Sequence, residues 1–141
     1  MTISSYDELQ KIGHHEAYPL SGHYTLTADI DGSGKLFDPI GSMNEPFTGT
    51  FEGKNHVIKN LTINKPLGDN VGLFSALSYA RLTDLTFENA KVNGSWLVGV
   101  AAGRVQNSYV KNVVSYNGSV VGDTYVGGVF GHLNGNDHVS Q

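Results

Sequence analysis

The sequence predicts an all-β solenoid, a coil of stacked short strands, because two phrases recur along the chain at nearly constant spacing. The first phrase occurs at 58–63 (IKNLTI), 82–87 (LTDLTF) and 110–115 (VKNVVS). The second is built on Val-Gly and repeats its glycine at Gly72, Gly99 and Gly127, which gives a period of 27 and then 28 residues. Both phrases are rich in the apolar and β-branched residues that strands favour. Self-similarity at such a period is typical of solenoid proteins.

Length, charge and cysteine content exclude several classes of protein. The 141 residues carry a formal net charge of −4, and only 16% of them are charged. A nucleic-acid surface needs clustered Lys and Arg, so we expect no nucleic-acid partner. No apolar run approaches the roughly 18 residues of a membrane helix, so we expect no membrane insertion. The absence of cysteine excludes disulfides, thiolate metal sites and a Cys nucleophile.

A short helix is predicted at 5–13, and we expect it to cap one end of the solenoid. Ser5 and Glu8 fit a capping box, and Gly13 is a natural C-terminal stop. The apolar residues of this segment recur every three positions, at Tyr6, Leu9 and Ile12. A helix of this length is marginal alone in water, so its apolar stripe must rest on another part of the protein.

The whole chain, 1–141, is expected to form one solenoid domain and to be part of a larger protein. Irregular first coils are predicted at 23–53 and three repeats at 54–141. Residues 23–30 alternate between apolar and polar side chains, as a half-buried strand does. Residues 36–46 contain two prolines and a glycine, which predicts a loop.

Each repeat is expected to turn two corners. The apolar alternation slips by one residue at equivalent positions of the three units, which are Asn60, Asp84 and Asn112. Asn and Asp tolerate the left-handed backbone of a sharp bend, so these three side chains are predicted to stack as a ladder. The glycines of the second phrase (Gly72, Gly99 and Gly127) allow a tight bend or close backbone approach. Residues 53–56 are predicted to form the turn that leads into the first repeat.

Two segments resemble a known group of repeats. Residues 47–63, FTGTFEGKNHVIKNLTI, are similar to the F-x-G-x-F-D-G-N-G-H-x-I-x-N-L-x-I segment of bacterial surface proteins with the GLUG-type motif. Residues 24–31 resemble the strand upstream of that segment. Such segments occur in large adhesin-like proteins and in the N-terminal regions of IgA-specific metallopeptidases. The resemblance implies a right-handed parallel β-helix with an extracellular or cell-surface location, and it implies scaffold rather than active site.

A candidate calcium site lies where the first predicted strand ends. Asp29, Asp31 and Ser33 stand at alternate positions, as in the opening of an EF-hand-type loop. The twelfth position of that loop would be Ile40, where the bidentate Glu is needed. An acidic turn leaving a strand would show the same pattern. No other cofactor is expected.

Four aromatic residues are predicted to lie outside the core. They are Trp96, Tyr109, Tyr116 and Tyr125. Clustered on one face, such rings could stack on the flat apolar surfaces of sugars, whereas ordinary turn packing would place them separately.

The pattern as a whole favours a structural and adhesive role. No catalytic residues are predicted, and the expected function is a non-catalytic stalk or adhesion module of a bacterial cell-surface or secreted protein, binding a host protein or a glycan. One alternative is a small polysaccharide lyase or hydrolase that uses Asp84 and Glu88; another is a module of a phage tail fibre. Solenoid ends need polar caps, so the C-terminal coil is expected to contact the rest of the parent chain or another protomer.

Overall fold

The computed structural model describes residues 1–135 and 137–140, and these form a parallel β-solenoid of about four turns with a short N-terminal helix. This confirms the all-β solenoid predicted from the repeats. The elements in chain order are β1 (Thr2–Ile3), α1 (Tyr6–Lys11), β2 (His23–Leu26), β3 (Ile30–Asp31), β4 (Thr50–Lys59), β5 (Thr62–Asn64), β6 (Asp69–Val71), β7 (Phe74–Ser78), β8 (Arg81–Glu88), β9 (Lys91–Asn93), β10 (Trp96–Val98), β11 (Ala102–Gln106), β12 (Tyr109–Tyr116), β13 (Ser119–Val121), β14 (Thr124–Val126), β15 (Phe130–Asn134) and β16 (His138–Ser140). In the described part of the chain, no helix is long and apolar enough to cross a membrane.

Four sheets form the walls of the solenoid. The largest has the order β1-β2-β4-β8-β12-β16, with β3 also paired to β4. Three sheets of three strands complete each turn, with the orders β5-β9-β13, β6-β10-β14 and β7-β11-β15. All named strand pairs are parallel. A strand therefore lies beside its equivalent in the next turn, and one repeat of sequence becomes one turn of the coil.

The core is a stack of apolar layers inside the coil. One column on the largest sheet consists of Tyr24, Phe51, Leu82 and Val110, which are level with one another and fully buried. The side chains of one column point the same way because equivalent strand positions keep the same face of the pleat. Burial of side chains of this size stabilises the fold by about 1.5–3 kcal/mol each.

The helix cap is shorter than predicted and is closed by a different bond. The Ser5 side chain accepts a hydrogen bond from the Glu8 amide, at 3.2 Å, as an N-cap residue does. The Glu8 carboxylate does not return to Ser5, however, but accepts from the amide and hydroxyl of Ser4, at 2.9 and 2.8 Å. Leu9 and Ile12 are fully buried against the first coil.

The loop predicted at 36–46 contains no named strand but contributes to the core. Phe37 and Ile40 are buried, and Ile40 forms an isolated parallel bridge with Phe74. The nearby Phe47 is also buried, and its ring centroid lies 4.8 Å from that of Phe74. Prolines keep this segment out of a regular ladder, yet its apolar side chains still fill one wall of the first coil.

The predicted level of Asn60 is wrong. Asn60 lies level with Asn89 and Asn117, because Lys59 pairs with Glu88 and Glu88 with Tyr116. The turn predicted at 53–56 takes the form of a bulge inside β4, where Lys54 and Asn55 have left-handed backbones, with φ of 54° and 64°. Glu52 pairs with Thr83 and His56 with Leu85, so residues 53–55 all stand opposite Asp84. The bulge shifts the strand register of the first repeat relative to the other two. The similar sequences of the three phrases give no indication of this shift.

Columns of left-handed residues mark the bends of the described coils. Their φ values lie between 50° and 79°, and the columns are Asn60/Asn89/Asn117, Asn70/Leu97/Tyr125, Tyr79/Asn107/Gly135 and Asp84/Asn112. Asn and Asp dominate because their short polar side chains tolerate this conformation best among residues that have a β-carbon.

Candidate ligand-binding site

Two of the predicted aromatic residues meet on the sheet β6-β10-β14. Trp96 lies on β10, level with Thr124, so Tyr125 is one residue beyond it on β14. The two ring centroids are 6.2 Å apart, and the ring planes are inclined at 59°. Trp96 is 38% exposed and Tyr125 52% exposed. Tyr125 has φ of 53°, so the backbone bend that forms the column also holds its ring at the surface.

A neighbouring sheet brings two basic residues to this pair. Arg104 on β11 lies level with His132 on β15, and the His132 ring centroid lies 5.0 Å from that of Tyr125. The two sheets approach closely at Gly103, where an added β-carbon would lie 2.5 Å from the Leu97 carbonyl oxygen. A side chain at that position would push β11 away from β10. The glycine therefore positions Arg104 and His132 beside the aromatic rings.

The four side chains surround a small hollow, here called the aromatic–arginine site and lined by Trp96, Leu97, Arg104, Tyr125 and His132. Its volume is about 180 Å³. Drug-sized pockets typically enclose about 300–1,000 Å³, so this hollow suits a single ring or side chain.

Arg104 has no partner among the described residues. Its Nε atom is buried and unbonded, and Arg104 takes part in none of the salt bridges or cation–π contacts of the described chain. The second arginine, Arg81, differs, because its guanidinium carbon lies 4.2 Å from the centroid of the Tyr109 ring. Buried donors are normally paired, and this guanidinium lines the surface hollow without an acidic partner among the described residues, so its terminal nitrogens are available to a ligand.

Tyr109 and Tyr116 lie elsewhere, on β12 of the largest sheet. The Tyr109 ring stacks on His138, with centroids 5.0 Å apart and planes 13° apart. Tyr116 is 57% exposed at the end of β12. The structure therefore brings Trp96 and Tyr125 together and leaves the other two predicted aromatics apart from them.

Arg104 and His132 were missed by the sequence reasoning. A usable signal existed, because the two residues are one period apart and each follows the glycine of the repeat phrase, at Gly103 and Gly131. That signal becomes a site only when the Val-Gly bend folds β11 back against β10.

The candidate calcium ligands are engaged by hydrogen bonds. Asp31 Oδ1 accepts from the hydroxyl of Ser33 at 2.6 Å, from its amide at 2.9 Å and from Asn60 Nδ2 at 3.0 Å. These bonds, that of the Ser33 hydroxyl first, lower the pKa of Asp31 to about 2. Asp29 Oδ1 accepts from the Val57 amide at 2.9 Å, and this bond lowers the pKa of Asp29.

No group of three or more His, Cys, Asp or Glu side chains among the described residues is placed to share a metal ion. Asp29 and Asp31 bond to different parts of the first coil, Asp29 to β4 and Asp31 to the turn that follows β3. A calcium ion at Asp29, Asp31 and Ser33 stays a prediction.

The carboxylate of Asp84 takes part in the stacking of the coils. Asp84 Oδ1 accepts a hydrogen bond from Asn112 Nδ2 at 3.0 Å. Glu88 is half-buried on the same strand, four residues further along. The polar bond of Asp84 accounts for its place in the sheet, and the lyase or hydrolase alternative stays a prediction.

A parallel β-solenoid that exposes an aromatic–arginine site is thus the class of protein that fold and geometry define. The chain is 38% identical to halomucin of Haloquadratum walsbyi over 142 aligned positions, which cover 92% of this chain and 2% of halomucin. A crystal structure of a Bacteroides ovatus protein, provisionally described as an immunoglobulin A1 protease, is similar in fold, with a TM-score of 0.57 and 18% identity. That likeness covers 98% of this chain and 63% of the other. No family model matches the chain.

Proposed function

We propose that this chain is a non-catalytic, carbohydrate-binding solenoid module of a cell-surface or secreted protein. The observation that carries the proposal is the exposed pair of rings, Trp96 and Tyr125, held 6.2 Å apart on a regular sheet. Both side chains combine a flat apolar face with a polar hydrogen-bonding tip, which suits a ligand whose surface is apolar on one side and hydroxylated at its edges. Sugar rings have this character.

Rigid support favours binding by this pair. Each ring projects from a strand that is hydrogen-bonded within a sheet, and not from a long loop. Leu97, only 4% exposed, forms the apolar floor of the hollow between them. A ligand that stacks here therefore meets rings that are already placed, and little conformational entropy is lost on binding.

The module character is supported by length. The chain spans 2% of halomucin, so the matched region is a small part of a far larger protein. It also spans less than two thirds of the Bacteroides ovatus chain. The Bacteroides ovatus protein is provisionally described as an immunoglobulin A1 protease, and a surface or secreted location of this chain is part of the proposal. The resemblance to GLUG-type repeats agrees with this proposal.

The absence of catalysis is part of the proposal. The two carboxylates that a lyase or hydrolase could use, Asp84 and Glu88, lie on β8. That of Asp84 accepts a hydrogen bond from the side-chain amide of Asn112. A general acid needs freedom to approach the glycosidic oxygen, whereas Asp84 is held within the ladder. We expect no release of reducing ends from trigalacturonate or lactose, and any release that is lost in Asp84→Asn or Glu88→Gln would contradict this expectation.

Binding of short oligosaccharides to the chain tests the function. Calorimetric titration with trigalacturonate, sialyllactose and the methyl ester of each is expected to give saturable binding for at least one of the four. Trp96→Ala and Tyr125→Ala should each weaken that binding by about 0.5–1.5 kcal/mol, the value of one aromatic contact. Tyr116→Ala is the matched control, since Tyr116 is at least as exposed as either ring but lies on another sheet. Equal losses in all three variants would overturn the assignment of the site.

A further inference from the structure

We infer that the aromatic–arginine site recognises an acidic sugar, whose carboxylate pairs with Arg104 while its ring stacks on Trp96 and Tyr125. This inference rests on the proposed function, because it names the class of glycan that the same site binds. It adds a requirement that the aromatic pair alone does not impose: the ligand must carry a negative charge.

The unpaired state of Arg104 is the first argument. A buried donor without a partner destabilises a protein, and proteins rarely retain one without a reason. Arg104 Nε is buried and unbonded, and no carboxylate of the described residues forms a salt bridge with this guanidinium. Because Nε has almost no accessible surface, a carboxylate in the hollow would bond to the terminal nitrogens of the guanidinium, with which no described carboxylate pairs. The planar fork of arginine fits a carboxylate in a two-bond arrangement.

The surroundings of Arg104 leave space for an anion. Its level neighbours along the sheet are Ala76 in the preceding coil and His132 in the following coil, so no acid stands beside it in its column. Leu97 forms the apolar floor of the hollow. Charge pairs are stronger where apolar side chains exclude water, so a ligand carboxylate would be attracted more strongly here than at an open surface.

Two acidic residues, one on β6 and one immediately before β14, define the limits of the anionic site. Asp69 is level with Trp96 in the preceding coil. Asp123 precedes Thr124, and its carboxylate accepts from the Ser95 hydroxyl at 3.1 Å. Neither forms a salt bridge with Arg104. They would repel an extended polyanion, so the geometry favours one acidic residue of a glycan placed directly at Arg104.

The charge of Arg104 also excludes a competing ligand class. Aromatic pairs bind cations such as quaternary ammonium groups through the faces of their rings. A guanidinium in the same hollow would repel such a cation at short range, because like charges destabilise each other most strongly where they are close and poorly solvated. The same side chain attracts a carboxylate.

Matched pairs of acidic and neutral probes test the inference. The affinity of the chain is measured by calorimetry at low ionic strength for trigalacturonate against its methyl ester and for sialyllactose against its methyl ester. At least one acid should bind about tenfold more tightly than its neutral counterpart, as expected for a charge-assisted hydrogen bond. The preferred pair shows whether the carboxylate belongs to a uronic acid or to a sialic acid.

Variants assign that preference to Arg104. Arg104→Gln should abolish the difference between acid and neutral probe while keeping the affinity for the neutral one, and Arg104→Lys should retain part of the difference. Arg81→Gln is the matched control, because it removes the other arginine from a different sheet, and the preference should persist. Thermal unfolding checks that each variant is folded. If Arg104→Gln is unfolded, Arg104→Lys and a fall of the preference with added salt provide the test.

Each outcome separates the inference from the function on which it rests. Equal affinity for acid and neutral probes, with a loss in Trp96→Ala, would overturn the acidic-sugar inference and keep the carbohydrate-binding function. A preference that survives in Arg104→Gln, or that vanishes equally in Arg81→Gln, would overturn the role of Arg104. Absence of binding to all four probes would overturn both.

Discussion

Asn112 Nδ2 donates a hydrogen bond of 3.0 Å to Asp84 Oδ1 of the preceding coil, and both residues have left-handed backbones, with φ of 56° and 54°. The bond joins two bends in the middle of long strands, β8 and β12, and not two ends of strands. Asp84 and Asn112 each have two roles at this point. Each tolerates a left-handed backbone, and each provides the hydrogen-bond partner of the other side chain.

Replacing Asp84 should expose both contributions. Asp84→Ala loses the bond to Asn112, worth about 1 kcal/mol. It also places a residue without a local polar side chain at positive φ, which costs about 1–2 kcal/mol in an L-residue. We expect the free energy of unfolding, measured in urea, to fall by about 2 kcal/mol. Asp84→Asn keeps a carbonyl acceptor and tolerates the bend, so it should lose less than half of that. Equal losses would contradict this account.

The period of the repeats could be predicted from sequence, whereas the register of the first one could not. Spacing of glycines and apolar residues reports how much chain makes one turn. The prediction that Asn60 lies level with Asp84 was wrong because β4 places three residues, 53–55, opposite Asp84. A bulge of this kind is determined by pairing with the neighbouring strand. The local sequence at 59–61 (KNL) is compatible with Asn60 lying level either with Asp84 or with Asn89.

The aromatic residues of the candidate site could be predicted from the sequence, whereas its arginine could not. Trp96 and Tyr125 stand out in sequence as large side chains in a polar, glycine-rich stretch. Arg104 joins them only because Gly103 lets β11 approach the carbonyl of Leu97. Such proximity arises between sheets, and periodicity within one strand does not report it.

Space at the Val-Gly bend can be tested with two glycines. An added β-carbon at Gly99 would lie 2.7 Å from the Ala102 and Val129 carbonyl oxygens and from the Gly131 amide nitrogen. All three atoms belong to backbone and cannot rotate away. We expect Gly99→Ala to lower the free energy of unfolding by about 1–3 kcal/mol or more, as overpacking does. Urea titration measures the change.

Gly128 provides the matched control for Gly99. An added β-carbon there would meet no atom within 4 Å. Gly128→Ala should therefore leave stability unchanged or raise it by about 0.4–1 kcal/mol, because alanine restricts the unfolded chain. A loss at Gly128 as large as that at Gly99 would show that backbone conformation, and not space, determines glycine at this bend.

Acid should weaken the first coil through Asp31. Hydrogen bonds, that from the Ser33 hydroxyl first, lower the pKa of Asp31 to about 2 in the folded chain. The unfolded value is about 3.9, so the ionised form stabilises the fold fully above that pH. This stabilisation is lost as the pH falls from about 4 through 2, and the melting temperature should fall over this window.

Two variants assign part of the acid effect to Asp31. Asp31→Asn removes the titrating group, so the slope of melting temperature against pH should become shallower, with a remainder from Asp29 and Glu8, whose pKa values are also lowered. Ser33→Ala removes the largest cause of the shift, so the Asp31 pKa measured by NMR should rise. An Asp31 pKa at or above its usual value in the unsubstituted chain would refute the prediction.

The last described coil should drive self-association of the isolated chain. Strands β13, β14, β15 and β16 each pair on one side only among the described residues, so their outer edges present free backbone groups. Apolar side chains are exposed on these strands, namely Val121, Val126, Leu133 and Val139.

We expect sedimentation analysis to show an oligomer whose population increases with concentration, and Leu133→Lys to weaken this association. Leu67→Lys is the control, because Leu67 is 92% exposed on a loop of an earlier coil and should leave association unchanged. A monomer at every concentration would contradict the prediction, because the free strand edges and the exposed apolar side chains beside them would then not mediate association.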